Sequence, residues 1–179
     1  ADLFETAVKG VRSQNELAQE SSEVADFWNM LQGFQTSGKC VDKAHYRIRY
    51  MKSFRPISVK EDIEFKEARP ILYLNMAAVA SLFNSRNMNA TANRSNWFTI
   101  TSYLKSHSSF LGLKQDRFTI LLPSGLPDYS IEIVNNEQIR KVKVNRPKAL
   151  CFDYLQLKEA FGLELETEMV SDAQDSEGV

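Results

Sequence analysis

The sequence predicts a single α+β domain, and three observations support this. Apolar residues recur at helical spacing in some stretches, they alternate at strand spacing in others, and the two kinds of stretch are interleaved along the chain. With 179 residues, 43% of them hydrophobic and 11% aromatic, the chain can bury one generous core.

The elements follow in order. Residues 2 to 36 read as helix. In "SSEVADFWNMLQGFQTSG" a Ser21/Ser22 cap and acidic first-turn residues precede Val24, Phe27, Trp28, Leu31 and Phe34, spaced three and four apart, and Gly38 supplies a stop. The earlier stretch is interrupted by Gly10 and reads as a separate helix or a frayed lead-in. "AHYRIRYMKSF" alternates, with Tyr46, Ile48 and Tyr50 on one side and His45, Arg47 and Arg49 on the other: a half-buried strand with a basic outer face. "ISVKEDIEFKEARP" pairs with it as a hairpin that Pro70 ends. "ILYLN" is a short strand, and Asn75 caps the helix "MAAVASLFNSRN". A second helix spans 95 to 107, with Gly112 in the break after it. "RFTILLP", "YSIEIV" and "RKVKVNRPKALCFDY" read as strands, with "NNEQ" at 135 to 138 as a hairpin tip, and "LQLKEAFG" as a last short helix.

Helix, strand, helix, turn, helix and β-hairpin is the element order of a winged helix. The predicted architecture is therefore a winged-helix-like domain with an N-terminal helix and an inserted β-hairpin. Residues 1–38 form the helical segment, 39–158 the domain with its hairpin at 44–69, and 159–179 an acidic, mobile tail.

Charge narrows the function. Residues 1 to 38 hold two basic and six acidic side chains, 39 to 158 twenty and ten, and 159 to 179 none and seven. A basic middle between acidic ends suits a polyanion-binding module, although a scattered, solvated surface gives the same totals. On the helix at 95–107, Trp97, Ile100 and Leu104 share one sector and Ser95, Thr99, Ser102 and Ser106 the opposite one. Short hydroxyls can bond phosphates and base edges, so this face suits nucleic acid; it equally suits the outside of an ordinary amphipathic helix. The candidate contacts on and beside this helix are Arg94, Ser95, Thr99, Ser102, Lys105, Lys114 and Arg117. On the late β-segment they are Arg140, Lys141, Lys143, Arg146 and Lys148, where lysines could instead guard a strand edge against unwanted pairing.

Other chemistries find no support. His45 and His107 lack a Cys or carboxylate at ligand spacing, and no phosphate-cradling or nucleophile-elbow glycine motif occurs, so no catalytic residue, metal or cofactor is nominated. Glu61, Asp62, Glu64 and Glu67 read as a solvated strand edge, and Trp28 and Trp97 as core anchors. Cys40 and Cys151 read as free thiols in a reduced cytoplasm. No apolar run approaches the ~18 residues of a membrane span, and no secretory signal is evident. Beginning on Ala and entering helix at once, the sequence reads as a piece of a longer protein, or as one that has lost its initiator Met.

Together "EVADFWNMLQGF", "DIEFKEARPILYLN", "SYLKSHSSFLGLKQDRF" and "ALCFDYLQL" resemble the C-terminal region that follows the ATPase module in primase–helicase-type proteins of bacterial mobile elements, over residues 20 to 162. That resemblance implies a non-catalytic accessory domain of a replication protein, with nucleotide hydrolysis upstream. The expectation is a DNA-binding module docking on the phosphate backbone beside an upstream ATPase or primase domain. The rivals are a protein-interaction module of the same kind of protein and an enzyme with a cryptic site.

Overall fold

The computed structural model describes the backbone of residues 2–86 and 96–167, and the side chains of 14–84 and 97–167. The fold is α+β, with four helices and eight strands among these residues. Helix α1 (Asp2–Thr36) runs unbroken through Gly10. One glycine costs a helix roughly 1 kcal/mol, which good helix formers on either side offset. The second half of α1 buries Val24, Phe27, Trp28 and Leu31, so the segment expected to stand apart at 1–38 shares the main core.

Strands β1 (Tyr46–Phe54) and β2 (Ile63–Leu74) pair antiparallel. Helices α2 (Met76–Arg86) and α3 (Asn96–Ser106) follow, and then β3 (Phe110–Gln115) and β4 (Phe118–Thr119). A ribbon of β5 (Tyr129–Val134) and β6 (Glu137–Val142) leads through β7 (Val144–Asn145) to β8 (Lys148–Asp153) and α4 (Tyr154–Phe161). The main sheet has the order β1-β2-β8-β3, while β4 pairs with β7 and β5 with β6 in two small ribbons. Asn135 and Asn136 both take positive φ, 52° and 64°, as the two-residue tip expected at "NNEQ" requires.

Side-chain alternation divides the sheet's two faces. Tyr46, Leu72, Leu74, Leu150 and Phe152 meet the helices, where Trp28 stacks edge-on against Phe152 at 5.1 Å and Phe27 lies 5.4 Å from Phe83. Ile71, Tyr73, Ala149 and Cys151 point the other way and pack with Phe54 and Phe118. The expected free thiols are found: Cys40 and Cys151 are unpaired and buried.

Five expectations about elements need correction. The hairpin at 44–69 is not an insertion but half of the main sheet. Pro70 does not end its second strand, because β8 pairs with β2 only from Ile71 onward; at Pro70 the strand still has an open edge that needs no N–H. Gly112 lies within β3, at a bulge between Phe110 and Gly112, rather than in a loop. "RFTILLP" gives only the two-residue β4, since its continuation turns back on itself through Leu122 and Leu126. The tail does not begin at 159: Leu163 and Leu165 are buried, Glu164 N–H donates to Gln32 Oε1, and Tyr46 O–H donates to the Glu166 carbonyl.

Candidate nucleic-acid interface

Helix α3 is amphipathic as expected. Trp97, Ile100, Tyr103 and Leu104 pack toward the core, and Trp97 donates its Nε1–H to Asn84 Oδ1 at 3.2 Å. On its outside, Ser102 and Lys105 are exposed and Thr99 is half-buried. Ser106 donates its hydroxyl back to the Ser102 carbonyl, and Phe98, at 87% exposure, is the most prominent side chain on that face. Arg94 and Ser95 lie outside the described residues. Lys105 stands shortly before β3 begins, whereas Lys114 stands near its far end, roughly 13 Å along the strand. Lys114 also lies 5.2 Å over the Phe54 ring, on the sheet face turned away from the helices. The expected single platform of helix hydroxyls and strand cations is therefore divided.

The β5–β6 ribbon is not a cationic arm. Arg140 stacks on Tyr129 at 4.4 Å and Lys141 pairs with Glu132 at 3.6 Å; with Glu137, the ribbon's two bases balance its two acids. Its prominent feature is apolar. Of fifteen exposed large hydrophobic side chains among the described residues, eight lie between 122 and 144, Ile131 and Ile133 foremost at 67% and 72% exposure.

Basic side chains concentrate elsewhere, where three chain segments meet at one end of the sheet. Thr119 N–H donates to the Lys43 carbonyl at 2.8 Å, and Phe118 and Thr119 pair with Asn145 and Val144. Gln115 pairs with Lys148, and Asp116 N–H donates to the Pro147 carbonyl at 3.4 Å. Segments 39–49, 114–119 and 143–148 are thereby held together. They carry nine basic side chains (Lys39, Lys43, Arg47, Arg49, Lys114, Arg117, Lys143, Arg146 and Lys148) and two acidic ones, in a chain whose net charge is −1.

One of those acids serves as a bracket. Asp116 accepts two hydrogen bonds from Arg49, at 2.7 and 2.9 Å, and lies 3.9 Å from Arg47, which donates to the Arg117 carbonyl at 2.9 Å. Two guanidinium groups around one carboxylate fix the geometry and leave positive charge over. Lys143 pairs with Asp128 at 3.1 Å, while Arg146 and Lys148 are exposed and form no ion pair among the described residues. Like charges gathered this way raise the local potential and attract polyanions.

Of the twelve candidates, Lys114, Arg117, Lys143, Arg146 and Lys148 lie in the three joined segments, with Lys114 and Lys148 on opposite faces of the sheet by alternation. Thr99, Ser102 and Lys105 lie on α3, and Arg140 and Lys141 on the neutral ribbon. Sequence reasoning missed Lys39, Lys43, Arg47 and Arg49. The alternation of Arg47 and Arg49 with Tyr46 and Ile48 was a legible signal of a basic face, but nothing local says which later segment that face will meet. Glu61, Asp62, Glu64 and Glu67 are exposed as expected, and Asp62 pairs with Arg55. Among the described residues no three His, Cys, Asp or Glu side chains are grouped to hold a metal, and no helix is long and apolar enough to cross a membrane. Comparison with protein-family models, curated proteins and solved structures finds no match to this chain, so the reading rests on its own geometry.

Proposed function

We propose that this chain is a non-catalytic DNA-docking module that grips the phosphate backbone with the cationic end of its sheet. The observation that carries the proposal is the meeting of segments 39–49, 114–119 and 143–148, which concentrates nine basic side chains against two acidic ones. Affinity of this kind comes from counterion release and is largely independent of sequence. The element layout supports a winged-helix reading: α1, β2, α2, α3, β3, a β-rich excursion and β8 follow in order, and β8 lies between β2 and β3. In that reading β4 to β7 are the wing and β1 is an added edge strand. The setting in a primase–helicase-type replication protein, with hydrolysis upstream, is carried over from the sequence resemblance and is proposed with it.

The test is Arg146→Glu with Lys148→Glu, two exposed positions whose reversal leaves the core untouched. Each phosphate contact scales affinity with salt to the power of about 0.9, so losing two costs roughly thirtyfold in Kd for duplex DNA at 0.15 M salt. Lys141→Glu, on the neutral ribbon, is the control and changes Kd less than twofold. A double variant that binds as tightly as the wild type overturns the proposal.

One observation favours a second reading, a protein-docking module. The exposed apolar side chains of the ribbon are numerous for a surface facing only water. Replacing Ile131 and Ile133 with Ser separates the two readings: it weakens assembly with a partner domain in this reading and leaves DNA affinity unchanged in the first.

A further inference from the structure

Beside the cationic end lies a cleft of about 500 Å³, within the range of small-molecule sites, roughly 300–1,000 Å³. It runs along the first turns of α2 and under the loop at 119–125. We propose that this cleft binds the phosphomonoester of a nucleotide, either free or at the end of a nucleic-acid strand. The strand-end form rests on the DNA-docking reading; the free-nucleotide form does not.

Three independent features converge there. The first is the helix start. The N–H groups of Met76 and Ala77 have no acceptor among the described residues, while Ala78 N–H donates to Asn75 Oδ1 at 3.5 Å; Ala77 and Ala78, with side chains of a single methyl group, line the cleft. Free first-turn N–H groups and the positive end of the helix dipole suit a phosphate.

The second is His45, a lining side chain only 4% exposed. Its Nδ1 accepts the Val41 N–H at 3.0 Å, so the neutral ring carries its proton on Nε2, where it has no acceptor among the described residues. Burial lowers its pKa and keeps it in that neutral, donating form near pH 7. The backbone that carries the ring is held in place: Asn75 N–H donates to the His45 carbonyl at 2.9 Å, and Asn75 Nδ2 to the Ala44 carbonyl at 3.1 Å. Asn75 thus ties the start of α2 to the His45 backbone, so the donors are arranged before any ligand arrives.

The third is the composition of the wall. Lys39, Ser81, Thr119 and Asn145 add a cation, two hydroxyls and an amide, and none of the fifteen lining residues is Asp or Glu. Leu82 and the run from Ile120 to Pro123 add apolar lining fit for a base or sugar.

The experiment uses the full chain, with isothermal titration of dAMP, deoxyadenosine and inorganic phosphate, and of a single-stranded 12-mer with and without a 5′ phosphate. The key variant is Ala77→Glu, which puts a carboxylate at the cleft's phosphate end. An acidic residue in a first helical turn is favourable, so the fold is retained. The expected result is dAMP binding at least tenfold tighter than deoxyadenosine, lost at least tenfold in Ala77→Glu, with the Ala77 amide resonance moving on titration. If strand ends are the source, the phosphorylated 12-mer also binds at least fivefold tighter than the unphosphorylated one, and Ala77→Glu removes that advantage. Equal affinity for dAMP and deoxyadenosine, no binding of either at millimolar concentration, or an unaffected Ala77→Glu variant overturns the proposal. Failure here with salt-sensitive binding of the unphosphorylated strand leaves the DNA-docking reading standing. dAMP binding without strand binding has the opposite meaning.

Discussion

Replacing Gly112 with Ala strains the strand that delivers Lys114 to the cationic end. Gly112 has φ +142°, where L side chains are rare, and an added methyl group would lie 2.5 Å from Pro56 Cβ and 2.8 Å from Pro56 Cγ. Pro56 cannot retreat freely, because the next residue, Ile57, donates its N–H to the Leu113 carbonyl at 2.8 Å. The disfavoured backbone costs about 1–3 kcal/mol, and overpacking against Pro56 costs about 1–3 kcal/mol more. The sum, roughly 2–6 kcal/mol, is a large part of a typical domain's stability of about 5–15 kcal/mol. Urea denaturation followed by tryptophan fluorescence reads it as a lower midpoint at unchanged m-value. A double-mutant cycle with Pro56→Gly isolates the steric part, with an expected coupling of about 1–3 kcal/mol. A Gly112→Ala variant within about 0.5 kcal/mol of wild type, or additive effects in the cycle, would refute the reasoning.

The remaining predictions concern buried titratable groups. His45 has its pKa lowered from 6.5 by burial, so the unfolded chain takes up a proton there before the folded one does. Stability is then fully present above about pH 6.5 and falls below it by up to about 1.4 kcal/mol per pH unit; this component is absent from His45→Gln, as melts from pH 7.5 to 5 will show. Burial pushes the Cys40 thiol up to about 12 and the Cys151 thiol up as well. Neither should react with a thiol-specific disulfide reagent at pH 8 in the folded protein, and both should react promptly in guanidinium.

The legible parts of the fold were those set by local pattern. The Val24–Phe34 stripe, the stop at Gly38, the cap at Asn75, the tip at Asn135–Asn136 and the Tyr46–Arg49 alternation each depend on residues within a turn or a strand of one another, and all stand where the pattern puts them. What misled were residues whose meaning depends on partners far along the chain. Pro70 looks like a stop unless β8 is known to leave its N–H side open. Gly112 looks like a loop unless Pro56 is known to press against it. Leu163 and Leu165 sit in an acidic stretch that reads as solvated until α1 is placed beside it. Ile131 and Ile133 alternate like half-buried residues, yet no element covers them among the described residues. The site failed to emerge for the same reason: the β6 cations and α3 hydroxyls belong together only if the chain is laid out as a helix and its wing, whereas Arg47 and Arg146 are brought to one end only by the pairing of β4 with β7 and of β3 with β8.

The most direct measurement is the salt dependence of duplex DNA affinity for the wild-type chain. Lys39, Lys114, Arg117, Arg146 and Lys148 form no ion pair among the described residues, and five such cations on phosphates give log K against log salt a slope of about −4.5. A line of that steepness from 50 to 300 mM salt is the predicted result. A slope shallower than about −1 would mean that hardly any phosphate is gripped there, and would contradict the account.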